Sequence, residues 1–330
     1  MTISRQLWHK HEGSEIFLYT LDSGRTTVKV SNLGCVVQGI LVNGKNVVLS
    51  YETAEEYLND SYYIGCIIGR YAGRIANASY EIDGVKYQLS KNEQPAGNHL
   101  HGGFRALNKV IFEVKEEVVK NNSAIITFGT TSADGEEGHP GEVNIEVTFA
   151  LSSDGTISTR YVAKSTKATH LNLTHHHYFN LAGGNEPAVF QQAQIYSNYY
   201  LQSNNEYIPD GNSVAVKNSN FDFVSFRSIK KNEKDECVNV YYQLNEHDFN
   251  TPVARLYSPL AGIEMEMKTT YPCIVLYSGD FLDKPFEKSA GVCLETQLFP
   301  DSPNHPHFPS TLLRPGTTYD HETTMLFKAT

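Results

Sequence analysis

The chain has 330 residues, of which 40% are hydrophobic and 19% charged, with 24 glycines and 13 prolines. This composition is typical of a globular protein and excludes collagen-like, coiled-coil and low-complexity chains. Lysine and arginine number 27 against 37 aspartates and glutamates, which gives a formal net charge of -10. Because that charge repels phosphate backbones and anionic lipid surfaces, we expect neither nucleic acid nor membrane partners.

The sequence predicts a soluble protein of a reducing compartment. The first twenty residues carry charges and histidines where a secretory signal would be apolar, and no run of eighteen apolar residues occurs. The five cysteines are widely separated and form no CxxC pair, so neither a disulfide framework nor a zinc knuckle is indicated. We therefore expect a cytoplasmic protein with buried free cysteines.

Strand and turn signals dominate the chain from its N-terminus onward. Apolar and polar residues alternate through most of its length, as in residues 263–268, and this period of two is typical of half-buried strands. Two-residue hairpin turns are predicted at three dipeptides that suit positive φ angles: Asn43-Gly44, Asp83-Gly84 and Asp154-Gly155. One short helix is predicted from Glu52 to Leu58, with Thr53 as its N-cap. Because no internal repeat, linker or shift in charge occurs, residues 1–330 are predicted to form a single all-β domain.

Two histidine clusters follow strand-like sequence and are candidates for chemistry. One is residues 98–103 (NHLHGG) and the other is residues 174–178 (THHHY). Alternation in an extended chain would place His99 and His101 on one face, and would separate His176 from both of its neighbours. Such imidazoles can hold a metal ion, transfer protons near neutral pH, or satisfy loop carbonyls in a core. The usual metal-site motifs are missing, which favours proton transfer or a structural role.

An acid/base site also needs a carboxylate, and the otherwise apolar segment at residues 292–297 (VCLETQ) contains one. Alternation puts Glu295 on the same face as Gln297, in a semi-enclosed polar position. The structural alternative is a buried ion pair between Glu295 and either Arg74 or Arg314. Neither GxGxxG nor GxxxxGK[ST] is present, so no nucleotide cofactor is predicted.

These motifs together resemble the aldose 1-epimerases, the galactose mutarotase family, and the match is collinear over nearly the whole chain. Six segments carry the resemblance: GRYAGRI (69–75), LHGG (100–103), THHHYFNL (174–181), YSGDFL (277–282), LETQLFPD (294–301) and LRPGTTYDH (313–321). The resemblance implies a large antiparallel β-sandwich with few short helices, a monosaccharide substrate, no cofactor and no metal. We expect a monomer or a homodimer.

The resemblance also implies roles for individual residues in interconverting the α and β anomers of aldohexoses such as galactose and glucose. His176 would be the general acid at the ring oxygen, and Glu295 the general base at the C1 hydroxyl. His101 would be a second imidazole that binds the substrate. Further substrate contacts would come from three residues: Arg74, Asp235 and Tyr271.

The chain departs from the usual pattern of the family at several positions. Gly73 and His175 each replace an asparagine, and Tyr271 stands where glutamine is frequent. The residues around Asp235 differ from the family's usual Asp-His pair. These differences concern sugar binding more than acid/base chemistry.

Three rival functions remain open from the sequence. A relative that acts on hexose 6-phosphates would need a basic pocket, and the chain shows no arginine cluster. A carbohydrate-binding module without activity would not need both His176 and Glu295. A cupin-like metalloenzyme would need imidazole ligands from two strands.

Overall fold

The computed structural model describes residues 1–229 and 238–329. Strands in antiparallel sheets dominate these residues, and their one α-helix, α1 (Ala54–Asn59), is short. Short 3-10 helices occur at five places: Ala76–Ala78, Leu107–Lys109, Glu136–Gly138, Ala188–Phe190 and Ser302–Asn304. The predicted all-β class is confirmed. Within the described ranges, no helix has the length and hydrophobicity that a membrane span requires.

The N-terminal strands form one sheet, and short strands from along the chain form four small pairs. The five-stranded sheet contains, in spatial order, β1 (Thr2–His11), β2 (Ser14–Asp22), β3 (Thr26–Ser31), β4 (Val37–Val42) and β5 (Lys45–Asn46). The pairs are β6 (Ile67–Ile68) with β16 (Thr174–His175), β7 (Arg74–Ile75) with β10 (His99–Leu100), β8 (Ser79–Ile82) with β9 (Val85–Gln88), and β15 (Thr169–His170) with β27 (Leu312–Leu313).

Two larger sheets form the sandwich. The nine-stranded sheet contains, in spatial order, β11 (Glu113–Lys120), β12 (Ser123–Ser132), β13 (Val143–Ser152), β14 (Ile157–Ser165), β28 (Tyr319–Ala329), β24 (Ile263–Thr269), β23 (Ala254–Ser258), β18 (Gln192–Ile195) and β21 (Arg227–Ser228). The six-stranded sheet contains β17 (Tyr178–Phe179), β26 (Val292–Gln297), β25 (Cys273–Tyr277), β22 (Asn239–Gln243), β19 (Tyr199–Ser203) and β20 (Pro209–Ala215).

The predicted helix is confirmed, together with its cap. The Thr53 hydroxyl accepts a hydrogen bond from the backbone N–H of Glu56, and the Glu56 carboxylate accepts one from the backbone N–H of Thr53. This reciprocal capping box satisfies two backbone donors at the start of α1. The helix begins two residues later than the sequence predicted because Thr53 itself lies outside it, in an extended conformation.

Two of the three predicted hairpin turns have the expected form. The dipeptides 43–44 and 83–84 connect β4 to β5 and β8 to β9, with both central residues at positive φ. At the third hairpin the prediction of a two-residue turn is wrong, because four residues, 153–156, connect β13 to β14. There the Asp154 carboxylate accepts the backbone N–H of Thr156 at 2.9 Å, which builds a wider turn in which only Gly155 needs a positive φ.

Strands β25 and β26 of the six-stranded sheet are buried on both of their faces. On one face, Leu276 and Leu294 share an apolar cluster with Met265 of the nine-stranded sheet. On the other face, Tyr277 and Cys293 belong to a second cluster, which loop residues of the N-terminal third complete. Every residue of β26 is therefore buried. A polar side chain on this strand is held away from bulk water.

A close backbone contact fixes the turn that follows β10. Gly102 has a φ of +93°, and a Cβ at this position would lie 1.9 Å from the carbonyl oxygen of Gly69. No side chain can occupy that space without moving the backbone. The same turn allows the backbone N–H of His101 to donate to the carbonyl of Gly73 at 3.1 Å.

We expect Gly102→Ala to destabilise the protein more than the matched control Gly84→Ala. Gly84 also has a positive φ, +82°, but nothing lies within 4 Å of a Cβ placed there. The backbone strain of alanine is therefore similar at the two sites, and only Gly102→Ala adds a collision. The difference in the free energy of unfolding should exceed about 1 kcal/mol in urea titrations. Equal losses in the two variants would contradict this account of the turn.

Candidate active site

A cavity of about 200 Å³ lies over the face of the six-stranded sheet that is turned away from the nine-stranded sheet. Strands β22, β25 and β26 supply its floor, and the loops around residues 61–63, 73–74 and 100–101 supply its walls. Of the six residues that the sequence assigned to a site, four line this cavity: Arg74, His101, His176 and Glu295.

Strand register sets the order of the side chains on the cavity floor. Glu295 of β26 lies opposite Val275 of β25, which in turn lies opposite Tyr241 of β22. The neighbouring row contains Cys293 opposite Tyr277. Because paired residues share a face of the sheet, these side chains all point into the cavity or its wall. The sheet neighbour of the Glu295 carboxylate is thus the apolar Val275, not a basic residue.

Glu295 and His176 meet inside the cavity. The Nε2 atom of His176 lies 3.7 Å from a carboxylate oxygen of Glu295, and both side chains are buried. Burial raises the pKa of Glu295 to about 8, although the positive charge of Arg74 acts in the opposite direction. Burial also lowers the pKa of His176 to about 4. Between these values the pair as a whole holds one proton.

Only the middle histidine of the THHHY segment faces the cavity. The flanking rings of His175 and His177 stack on each other on the opposite side, with their centroids 5.3 Å apart. His175 is bonded there to the hydroxyl of Tyr161 and to the carbonyl of Cys35. The alternation that the sequence predicted for this segment is confirmed.

The second nitrogen of His176 contacts a thiol. Its Nδ1 atom lies 3.5 Å from the sulfur of Cys293, one pleat away from Glu295 on β26. The imidazole ring also lies against Tyr178 and Tyr63, with centroid distances of 4.9 Å and 6.1 Å. These contacts direct Nε2, rather than Nδ1, toward Glu295.

His101 reaches the cavity through a turn, not through an extended strand. Its φ of 54° breaks the alternation, so the expected pairing of His99 with His101 on one face is wrong. His99 instead lies in the core, bonded to the carbonyl of Ser90 and to His139. The Nδ1 atom of His101 accepts the backbone N–H of Gly73 at 3.2 Å. Burial lowers the pKa of His101 well below its usual range, so the ring is neutral and its Nε2–H is a hydrogen-bond donor.

Arg74 lines the cavity but is paired with another carboxylate. Its Nε and Nη2 atoms donate to Glu93 at 2.8 Å and 2.6 Å, and its guanidinium lies 5.2 Å from the ring centroid of Tyr207. Arg314 pairs with Asp83. The alternative of an ion pair between Glu295 and either arginine is therefore not realised.

Two of the predicted substrate contacts are not brought to this cavity. Tyr271 is fully buried, and its hydroxyl donates to the carbonyl of Leu173 and is bonded to the hydroxyl of Tyr319, each at 2.7 Å. It does not line the cavity, because it precedes β25 and points into the core. Its position therefore gives no support to substrate binding. Asp235 lies outside the described residues, and its assignment stays a prediction.

Several lining residues were not assigned by the sequence. They include Tyr63, Asn239, Tyr241 and Gln297. The sequence does indicate the location of Gln297, since alternation along the strand places it on the same face as Glu295. For the other three, the sequence offered no motif, and their location depends on which strands become neighbours in the sheet.

One group of potential metal ligands occurs in the described part of the chain: His176, Cys293 and Glu295, with donor atoms within 4.8 Å of one another. The sulfur is near Nδ1 and the carboxylate is near Nε2. One nitrogen of His176, the sulfur and one carboxylate oxygen lie close enough to face a common point, but the sulfur and the carboxylate make their shortest contacts with different nitrogens of the ring. The contact between Nε2 and the carboxylate is the one that proton transfer uses.

Comparison with known proteins agrees with this geometry. The sequence model of the family described as aldose 1-epimerase matches residues 18–326. Human galactose mutarotase is 35% identical over 338 residues, covering 96% of this chain and 95% of the relative. Aldose 1-epimerase of Escherichia coli K12 is 31% identical, covering 86% of each chain.

Solved structures show the same fold. A galactose 1-epimerase from Lactobacillus acidophilus NCFM superimposes with a TM-score of 0.90 at 22% identity, covering 99% of this chain and 98% of that one. A GalM/aldose epimerase homologue from C. elegans gives 0.87 at 25% identity, covering 94% and 98%. The chain belongs to the aldose 1-epimerase family.

Proposed function

We propose that this protein is an aldose 1-epimerase, an isomerase that interconverts the α and β anomers of aldohexoses such as galactose and glucose. The observation that carries the proposal is the 3.7 Å approach of two buried groups, the imidazole of His176 and the carboxylate of Glu295, inside a cavity. Their pKa values are moved in opposite directions by burial. Groups arranged in this way can serve as an acid and a base on one substrate.

Ring opening requires two proton transfers at atoms bonded to one carbon. The Glu295 carboxylate accepts the proton of the C1 hydroxyl while the protonated His176 gives its Nε2 proton to the ring oxygen. The bond between C1 and the ring oxygen breaks, and C1 becomes an aldehyde. After rotation about C1–C2, the reverse transfers close the ring on the other face. No electrons leave the substrate and the proton count of the pair is unchanged.

Burial favours the state of the pair that follows ring opening. A charged imidazolium and a charged carboxylate both lose solvation in the cavity, whereas a neutral imidazole and a neutral carboxylic acid do not. Transfer of both protons through the sugar converts the first state into the second. The raised pKa of Glu295 and the lowered pKa of His176 therefore make the charged pair the minor form before opening and make proton transfer from that form favourable.

The other lining residues bind the substrate in this proposal. His101 donates from Nε2, since its Nδ1 is engaged by Gly73. Arg74 is the one arginine or lysine among the described lining residues, and Glu93 neutralises it. That pairing argues against a hexose 6-phosphate as substrate, because a phosphate needs unpaired cations or backbone donors.

The basic test is the rate of mutarotation of freshly dissolved α-galactose and α-glucose, followed by polarimetry. Glu295→Gln and His176→Asn should each lower kcat at least about 100-fold, because each removes one partner of the proton transfer. Glu55→Gln and His307→Asn make the same chemical changes at exposed positions and should retain wild-type rates. The proposal fails if the wild type gives no acceleration over buffer at micromolar concentration, and the role assignments fail if either site variant retains full activity.

We expect a bell-shaped dependence of kcat/KM on pH. Below about pH 4 both groups are protonated and no base remains, and above about pH 8 both are deprotonated and no acid remains. The rate should be constant between these values. The measurement is kcat/KM from pH 3.5 to 9.5, corrected for the buffer-catalysed reaction. A plateau that continues above pH 9 would contradict the raised pKa of Glu295.

Arg74→Met should move the alkaline limb of that profile to higher pH. The positive charge of Arg74 lowers the pKa of Glu295, so its removal raises that pKa further. Arg314→Met is the matched control, since Arg314 pairs with Asp83 at an exposed site away from the cavity. A shift to lower pH, or an equal shift in the control, would refute the coupling between Arg74 and Glu295.

A further inference from the structure

The amide nitrogen of Gln297 is buried in the cavity wall without a hydrogen-bond partner. Gln297 follows Glu295 by two residues on β26, lines the cavity and is 1% exposed. Its Nε2 atom has no hydrogen-bond partner. Six buried side-chain atoms of the described residues share that condition, and Gln297 alone among their residues lines the cavity.

The chain leaves space beside this amide. Gly73 lies over it, and a Cβ at Gly73 would be 3.5 Å from the Nε2 atom of Gln297 and 3.0 Å from the Cβ of Pro300. Any larger side chain at position 73 would therefore occupy the space next to the amide. On the other side of Gly73, His101 and Arg74 line the same wall.

A buried N–H group without a partner is unfavourable, and native proteins rarely leave one unless a ligand or water completes it. A partner for the Nε2–H group of Gln297 must accept a hydrogen bond and need not carry a charge. Sugar hydroxyls meet both conditions. A side-chain amide can also accept from one hydroxyl while donating to its neighbour, because it carries both kinds of group.

We propose that Gln297 is a substrate-binding residue that holds the hydroxyls on the side of the ring remote from C1, at C3 and C4. The inference rests on the proposed function. The Cα atoms of two residues on the same face of a strand are about 7 Å apart. With C1 of a pyranose at Glu295, that separation places Gln297 beside the far side of the ring. The amide therefore contributes to binding and to the choice among hexoses, not to proton transfer.

The first test is Gln297→Met, which keeps an unbranched side chain and removes the amide. KM for galactose and glucose should rise about tenfold with kcat changed less than about twofold, since the lost contact exists in ground and transition states alike. Gln243→Met is the matched control, because Gln243 lies in the same row of the sheet, two strands away and outside the cavity. Its KM should equal that of the wild type.

Deoxy sugars identify the hydroxyls involved. With 3-deoxy- or 4-deoxyglucose, the wild type should lose kcat/KM, and Gln297→Met should lose little more, because the partner hydroxyl is already missing. With 2-deoxy- or 6-deoxyglucose, Gln297→Met should still lower kcat/KM about tenfold relative to the wild type. Equal effects on all four sugars, or no effect on any, would overturn the inference.

A second variant guards against misfolding. Gln297→Asn keeps the amide but withdraws it by one methylene, and should give the same pattern with a smaller rise in KM. Thermal unfolding of each variant checks that the fold is kept. If the wild type turns over none of these sugars, the proposed function itself has failed; if the wild type is active and only the pattern of deoxy sugars is absent, the role of Gln297 alone is refuted.

Discussion

Burial of a carboxylate beside an imidazole imposes a strict condition on the whole molecule. Two charged groups in a water-poor cavity are unfavourable, so Glu295 and His176, 3.7 Å apart, are most stable when they hold one proton between them without charge separation. In the proposed mechanism the substrate takes a proton from His176 and gives one to Glu295, so the pair never has to hold two charges after opening. The sheet and the loops exclude water from this pair. They also hold its two side chains close together and in a fixed orientation.

Strands β25 and β26 meet that condition because they are buried on both faces. Leu294 packs into the core, while its neighbours Cys293 and Glu295 point to the other face, where Glu295 lines the cavity. One strand thus supplies the proposed base and, through the 3.5 Å contact of the Cys293 sulfur with Nδ1 of His176, a support for the proposed acid. An open sheet face would hydrate Glu295 and return its pKa toward the usual range. The packing of the sandwich therefore sets the pKa of Glu295.

Local sequence signals were sufficient for part of this structure. The capping box of α1, the alternation around His176 and the position of Glu295 on β26 depend on residues close together in the chain, and they were predicted correctly. The position of His101 depends on a left-handed turn against residue 69, which alternation cannot reveal. Tyr271 is predicted to bind the substrate because of its place in a motif, whereas its hydroxyl donates a hydrogen bond to a carbonyl in the core. Long-range packing decided both cases.

The electrostatics of the cavity also indicate what kind of molecule it can hold. Arg74 is neutralised by Glu93, and His101 is kept neutral by burial. The pair of Glu295 and His176 holds one proton. The described walls thus present almost no net charge while retaining hydrogen-bonding groups, the amide of Gln297 among them. A charged ligand would lose its hydration in such a place without gaining a counter-ion. A neutral polyol loses only hydrogen bonds, which these groups can replace, and it leaves the proton balance between Glu295 and His176 undisturbed.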